Sequence, residues 1–195
     1  MDSDSTRQAI LEAVTTCIEK YGIDRLTTRR IAEEAGTNIA SINYHFRSKE
    51  KLIAEALTMT VRHMLQDVEA AIEEHGQPFE QVLEDVFFYL LDGGLRFPGI
   101  STAHLYAAVV EKDYNSPGAK GIRQVFDHLA GRAAREYPGK DPDELRFLLS
   151  KICTSIMFIL LAPDFFPQAD RYQPAGEGNR RRIAGSYARL FLAAV

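Results

Sequence analysis

A chain of 195 residues, 46% hydrophobic and 26% charged, has the balance of a folded globular protein, which excludes the disordered and fibrous classes. No apolar run approaches the roughly 18 residues of a membrane span, and the start, MDSDSTRQAI, lacks a basic stretch followed by an apolar one. Neither membrane insertion nor secretion is therefore expected, and the cytoplasm is the expected compartment. The formal net charge of −4 argues against a polyanionic partner only until its distribution is considered. Between Arg25 and Lys51 the basic Arg25, Arg29, Arg30, Arg47, Lys49 and Lys51 outnumber the acidic Glu33, Glu34 and Glu50 by three, so the remainder carries −7. Cys17 and Cys153 sit in apolar helical patterns, neither in a CxxC or Cys/His cluster, and are expected to be reduced core thiols. No metal and no cofactor is expected.

From Ser5 to Tyr21, Ile10, Val14, Cys17, Ile18 and Tyr21 recur at spacings of three and four, so one face of a helix is apolar, and Gly22 stops it. Thr27 or Thr28 can cap a short second helix whose buried side is Ile31, Ala32 and Ala35 and whose end is Gly36. Asn38 is a good cap for a third helix, Ile39 to Phe46, with Ile42 and Phe46 facing inward. Arg47 and Ser48 break it. Ser48 can cap a long helix running to about His75, and Glu50 suits the positive end of that helix.

Gly76 and Pro78 punctuate the chain before a helix over Phe79 to Asp92, which Gly93, Gly94, Pro98 and Gly99 are expected to interrupt. Helices over Ser101 to Lys112 and Gly118 to Tyr137 follow. Leu145, Leu148, Leu149, Ile152, Ile156, Ile159 and Leu160 make a wide stripe on a helix from Asp143 to Leu161, and Ile183, Tyr187, Leu190, Phe191 and Ala194 make a matching one on the last helix, Asn179 to Ala194. Residues 163–178 between them read as the longest loop. No strand-like alternation occurs, so the expected class is all-α.

Two short helices joined by a Gly-containing turn and braced by a first helix are the arrangement by which the second of the pair enters a major groove. Here Leu26-Thr27-Thr28-Arg29, Ile31-Ala32-x-x-Ala35-Gly36 and Tyr44-His45-Phe46-x-Ser48-Lys49-Glu50 resemble the signature of the TetR family of transcriptional regulators. The resemblance covers about the first 55 residues. It implies a three-helix DNA-binding domain over residues 1–50, with the motif at about 28–47, and a helical effector-binding and dimerisation domain over 51–195. The chain is expected to be no enzyme, since Glu111, Asp113 and His104 are too scattered to form a catalytic set.

The same resemblance implies roles for single residues. Thr28 and Arg29 open the second helix, where a helix N-terminus suits phosphate. Asn38, Ile39, Ala40, Ser41, Asn43 and Tyr44 lie at or near the positions that read bases and flanking phosphates. Asn43 suits an adenine edge, and Ile39 or Ala40 a thymine methyl. Tyr44, His45 and Lys49 suit phosphate. The sequence departs from the commonest family pattern at Asn43, where a Tyr is usual, so no operator transfers from relatives. In the body, Phe87, Phe88, Tyr89, Phe97, His104, Tyr106, Phe126 and Phe158 lie on helices that surround the family's effector cavity, and some are expected to line an apolar pocket with His104 or Tyr106 as polar handle. Leu149, Ile152, Ile156, Ile183, Tyr187, Leu190 and Phe191 are expected at a four-helix homodimer interface.

The expected function is therefore that of a ligand-responsive repressor, bound as a homodimer to a palindromic duplex operator and released by a small, largely apolar effector. The rival expectations are a transcriptional activator, or a helical interaction protein that has lost sequence-specific DNA binding.

Overall fold

A computed structural model describes residues 3–73, 76–165 and 170–195. Among them the chain is helical, with no strand: α1 (Ser3–Tyr21), α2 (Thr28–Glu34), α3 (Ile39–Phe46), α4 (Lys49–Glu73), α5 (Phe79–Arg96), α6 (Pro98–Val109), α7 (Pro117–Glu136), α8 (Pro142–Leu161) and α9 (Glu177–Leu192). The expected helix end near His75 lies outside the described residues, as do residues 166–169 of the expected loop. In the described part of that loop, Asp170–Tyr172 forms a short 3-10 turn. No helix among the described residues is long and apolar enough to cross a membrane.

By its contacts the chain divides into two compact units, residues 1–63 with 97–120 and residues 64–96 with 121–195. This grouping differs from a boundary near residue 50, because the first half of α4 and all of α6 pack with α1 to α3. In that first unit, Ile10, Val14, Cys17 and Ile18 of α1 meet Ile31 of α2, Ile42 and Phe46 of α3, Leu52 of α4 and Ala103 of α6. Each large aliphatic side chain buried there stabilises the fold by about 1.5–3 kcal/mol. The second unit is built on α5 and α9, whose Val82, Val86, Phe87 and Leu91 pack with Ala184, Ala188 and Phe191, and on Leu145, Leu149, Ile152 and Ile156 of α8.

Four expected helix boundaries are corrected, one of them the end of α6, which lies at Val109 and not at Lys112. Gly93 and Gly94 do not end α5, which continues to Arg96, and Pro98 and Gly99 open α6 instead of preceding it. The reason at Gly94 is close approach: a Cβ there would lie 2.6 Å from a Leu160 methyl of α8. At Gly99 a Cβ would lie 2.9 Å from the Ile18 carbonyl oxygen of α1, and Pro98 occupies the first turn, where its missing N–H costs nothing. The first turn of α6 has no capping side chain of its own. Glu19 of α1 supplies it, accepting from the Gly99 N–H at 3.1 Å and the Ile100 N–H at 2.6 Å. The last helix starts at Glu177, two residues before the expected Asn179.

Candidate nucleic-acid interface

The local sequence fixes both short helices at their ends. Thr27, and not Thr28, caps α2, its hydroxyl accepting from the Arg30 N–H at 3.2 Å. At the other end Gly36 has φ 62°, a left-handed conformation that glycine adopts without a Cβ penalty. There the Thr37 N–H donates to the Ala32 carbonyl at 2.9 Å and the Gly36 N–H to that of Glu33 at 3.3 Å, a Schellman closure of the helix. Asn38 caps α3, its side-chain oxygen accepting from the Ser41 N–H at 2.8 Å.

With its ends held, α3 has one side inward and one outward. Ile42 and Phe46 are 1% and 3% exposed, and the Arg7 guanidinium lies 5.3 Å over the Phe46 ring while pairing with Glu55. Ile39, Ala40, Asn43 and Tyr44 are exposed, Tyr44 at 80%. Their spacing of one and four residues places them on one side of the helix. Asn38 is exposed at the cap, and Ser41 and His45 are half-buried at the margin, with the Tyr44 ring edge-on to His45 at 5.1 Å. On α2, Thr28 is half-buried and Arg29 exposed, its Nε paired with Glu33 at 3.0 Å. Lys49 is turned in part toward the protein, its Nζ donating to the Leu26 carbonyl at 3.4 Å.

Between α3 and α4 the chain reverses within two residues. Arg47 has φ 64° and ψ −35°, and the Ser48 N–H donates to the Phe46 carbonyl at 2.7 Å across it, a γ-turn. Ser48 then caps α4 through its hydroxyl, accepting from the Lys51 N–H at 3.2 Å. Glu50 follows, held below the usual carboxylate range by its own backbone N–H and then by the Ser48 hydroxyl. Arg25, Arg47 and Lys51 count toward the local positive charge in the sequence, which gives none of them a contact of its own. All three are exposed cations of this surface.

The residues expected to line an effector pocket fall in both units. Phe97, His104 and Tyr106 belong to the first, and Phe87, Phe88, Tyr89, Phe126 and Phe158 to the second. Phe87 is fully buried core, Phe88 lies under the Arg181 guanidinium at 3.9 Å, and Phe126 under that of Arg146 at 4.8 Å. Tyr89 donates to Asp67 at 2.7 Å, and burial with that carboxylate raises its pKa. Phe158 lines a cleft of about 190 Å³ in the second unit, together with Tyr172, Pro174, Ile183 and Tyr187.

Of the seven residues expected at a dimer interface, Leu149, Ile152, Ile156, Ile183 and Phe191 are at most 6% exposed and lie in the core of their own unit. Tyr187 is half-buried and Leu190 is 59% exposed. The outer row of α8 carries other apolar side chains, Phe147, Phe158 and Leu161.

His104 is half-buried as a residue, but its imidazole is neutral and its Nδ1 is shut off from solvent. Thr60 donates its hydroxyl to the Leu57 carbonyl at 2.9 Å and so accepts from His104 Nε2 at 2.9 Å, which leaves Nδ1 as a buried acceptor without a partner among the described residues. Burial lowers its pKa from 6.5 to about 4. The unfolded chain therefore takes up this proton first, so the stability that His104 contributes is complete above pH 6.5 and is lost as pH falls toward 4. Over that interval about 3 kcal/mol of stability should disappear. Thermal melts from pH 7 to 4 should show a flatter decline in a His104→Leu variant than in the wild type; parallel declines would contradict this account.

The segment 10–56 matches the family model described as "Bacterial regulatory proteins, tetR family". The HTH-type transcriptional regulator BetI of Brucella canis is 30% identical over 76 residues, 39% of this chain and 38% of that protein. The tetracycline repressor protein class D of Escherichia coli is 26% identical over 111 residues, 56% of this chain and 49% of that protein. The chain thus matches less than half the length of either relative. In overall fold it is similar to the transcriptional regulator FadR from Bacillus subtilis, solved in complex with stearoyl-CoA, with a TM-score of 0.72 at 13% identity over 96% of this chain and 98% of that one.

Proposed function

The chain belongs to the TetR family of bacterial regulatory proteins, a family of transcriptional regulators and not of enzymes, and from that premise we propose that it is a ligand-responsive repressor, bound as a homodimer to a palindromic operator and released by a small-molecule effector. The observation that carries this reading is α3, a helix capped at its start and locked by buried Ile42 and Phe46, with Ile39, Ala40, Asn43 and Tyr44 facing outward. In the proposed complex α3 lies in the major groove. Asn43 addresses an adenine edge and Ile39 or Ala40 a thymine methyl. Thr28, Arg29, Asn38, Ser41, Tyr44, His45 and Lys49 hold the flanking backbone, Lys49 after giving up the Leu26 carbonyl.

One such helix reads few base pairs. A two-fold dimer doubles the contacts and fixes two half-sites about 34 Å, or a multiple of that turn, apart. The exposed apolar row of Phe147, Phe158 and Leu161 on α8, with Leu190 on α9, supports a second copy packing there. The burial of Leu149 and its neighbours moves the proposed contact to this outer row.

The effector we propose is small and largely apolar, in keeping with the aromatic and aliphatic lining of the cleft around Phe158 and Tyr187. It acts only through different affinity for two states of the dimer, and a coupling of about 1–3 kcal/mol changes DNA affinity roughly 5- to 150-fold. The continuous α4, which starts at the Ser48 cap beside α3, is the proposed lever.

Selection of bound duplexes from a randomised pool tests this reading. The expected product is an inverted repeat, and an Asn43→Ala variant should select a repeat altered at one position of each half-site. Enrichment of no repeat, or of the same repeat by both proteins, contradicts it.

A further inference from the structure

Arg47 holds a backbone conformation that an arginine does not favour. At φ 64° and ψ −35° its Cβ crowds the neighbouring backbone, and glycine or asparagine is the usual residue just past a helix end. The turn is nevertheless firmly tied. The Arg47 N–H donates to the Asn43 carbonyl at 3.0 Å, the Ser48 N–H closes on the Phe46 carbonyl at 2.7 Å, and the Phe46 side chain beneath is buried. Strain held this firmly at an exposed residue points to a use for the side chain.

The surrounding charges say which use. Arg29 is paired with Glu33, Lys20 with Glu34 and Arg7 with Glu55. Among the described residues no acidic side chain pairs with the Arg47 guanidinium. Arg47 is exposed directly after the last residue of α3, one turn beyond Asn43 in the chain, and precedes Lys49 by two residues. An arginine at the edge of a groove-facing helix, without an internal counterion, matches the geometry of a phosphate diester, which its planar fork binds through two hydrogen bonds.

We propose that Arg47 is a DNA-phosphate contact of this protein, held in place by the strained γ-turn between α3 and α4. The inference rests on the DNA-binding reading above and adds to it a contact at the C-terminal end of α3.

The test needs no operator, because phosphate contacts act on any sequence. Binding of the full-length protein to a fluorescent 30-base-pair duplex of random sequence is measured between 50 and 200 mM salt, with melting temperatures recorded alongside. Arg47→Gln keeps the strained turn and removes the charge. It should weaken binding about five- to tenfold per subunit near 0.1 M salt and reduce the log–log salt slope by about 0.9 per subunit, with an unchanged melting temperature. Arg47→Gly should lose the same affinity while melting about 2–4 °C higher, since glycine fits the turn. Arg47→Lys should keep the wild-type slope. Wild-type affinity and slope in both Arg47→Gln and Arg47→Gly overturn the proposal, as does an affinity loss without a change in slope. A wild-type protein that binds no duplex at 50 mM salt instead overturns the DNA-binding reading, and this inference falls with it.

Discussion

Replacing Phe46 by alanine is expected to destabilise the protein by about 3–5 kcal/mol and to abolish DNA binding. The ring is 3% exposed in the core shared by α1, α3 and α4, and it carries the Arg7 guanidinium on one face. Its loss opens a cavity under the last turn of α3 and frees the γ-turn at Arg47 that the buried ring anchors. Urea denaturation of the full chain measures the cost. Tyr44→Ala serves as the contrast, because a residue 80% exposed should change stability by no more than about 0.5 kcal/mol. Equal midpoints for the two variants would contradict the assignment of inner and outer faces.

The second large effect lies in the other unit. Asp92 of α5 accepts from Arg180 of α9 at 2.7 and 2.9 Å and from Arg96 at 3.0 Å, while Arg180 also donates to the Pro174 carbonyl at 3.1 Å. The Asp92 and Arg180 side chains are 17% and 14% exposed. Asp92→Ala leaves a largely desolvated guanidinium with one carbonyl for a partner, at a cost of about 3 kcal/mol. Changing both residues to apolar ones of similar size, Asp92→Leu with Arg180→Met, should recover most of that loss, because the price of the pair is mainly desolvation. A double variant as unstable as the single one would mean that the ion pair itself, and not the stranded charge, sets the stability there.

What was legible in the sequence follows from which physical signals are local. Caps, the left-handed Gly36 and the three-and-four spacing of Ile10, Val14, Cys17 and Ile18 are properties of short segments, and the first four helices follow from them. Gly93, Gly94 and Gly99 were misread because a glycine that breaks a helix and one that lets a neighbour approach look alike until the neighbour is known. The stripe on α8 was legible as apolar but not as inward, since Phe147, Phe158 and Leu161 give the same helix an apolar outer row. The aromatics of the body are spread over two units because helical spacing says nothing of which helices meet. At the candidate interface the outward side of α3 was readable, whereas the hand of the backbone at Arg47 was not.

Asn43 is exposed on α3, one turn ahead of Arg47, so a small amide stands where the family resemblance implies a tyrosine. The γ-turn provides an alternative anchor to the backbone at the same end of the helix, which separates the question of whether this protein binds DNA from the question of which sequence it prefers.

The central claim is that α3 and the cations around it form a DNA-binding surface, and titration of a labelled duplex from the gene's own upstream region at several salt concentrations tests it most directly. The account predicts binding whose log affinity falls linearly and steeply with log salt, with a slope equal to about 0.9 times the number of phosphates engaged. Absence of binding at 50 mM salt, or an affinity that does not change with salt, would contradict it.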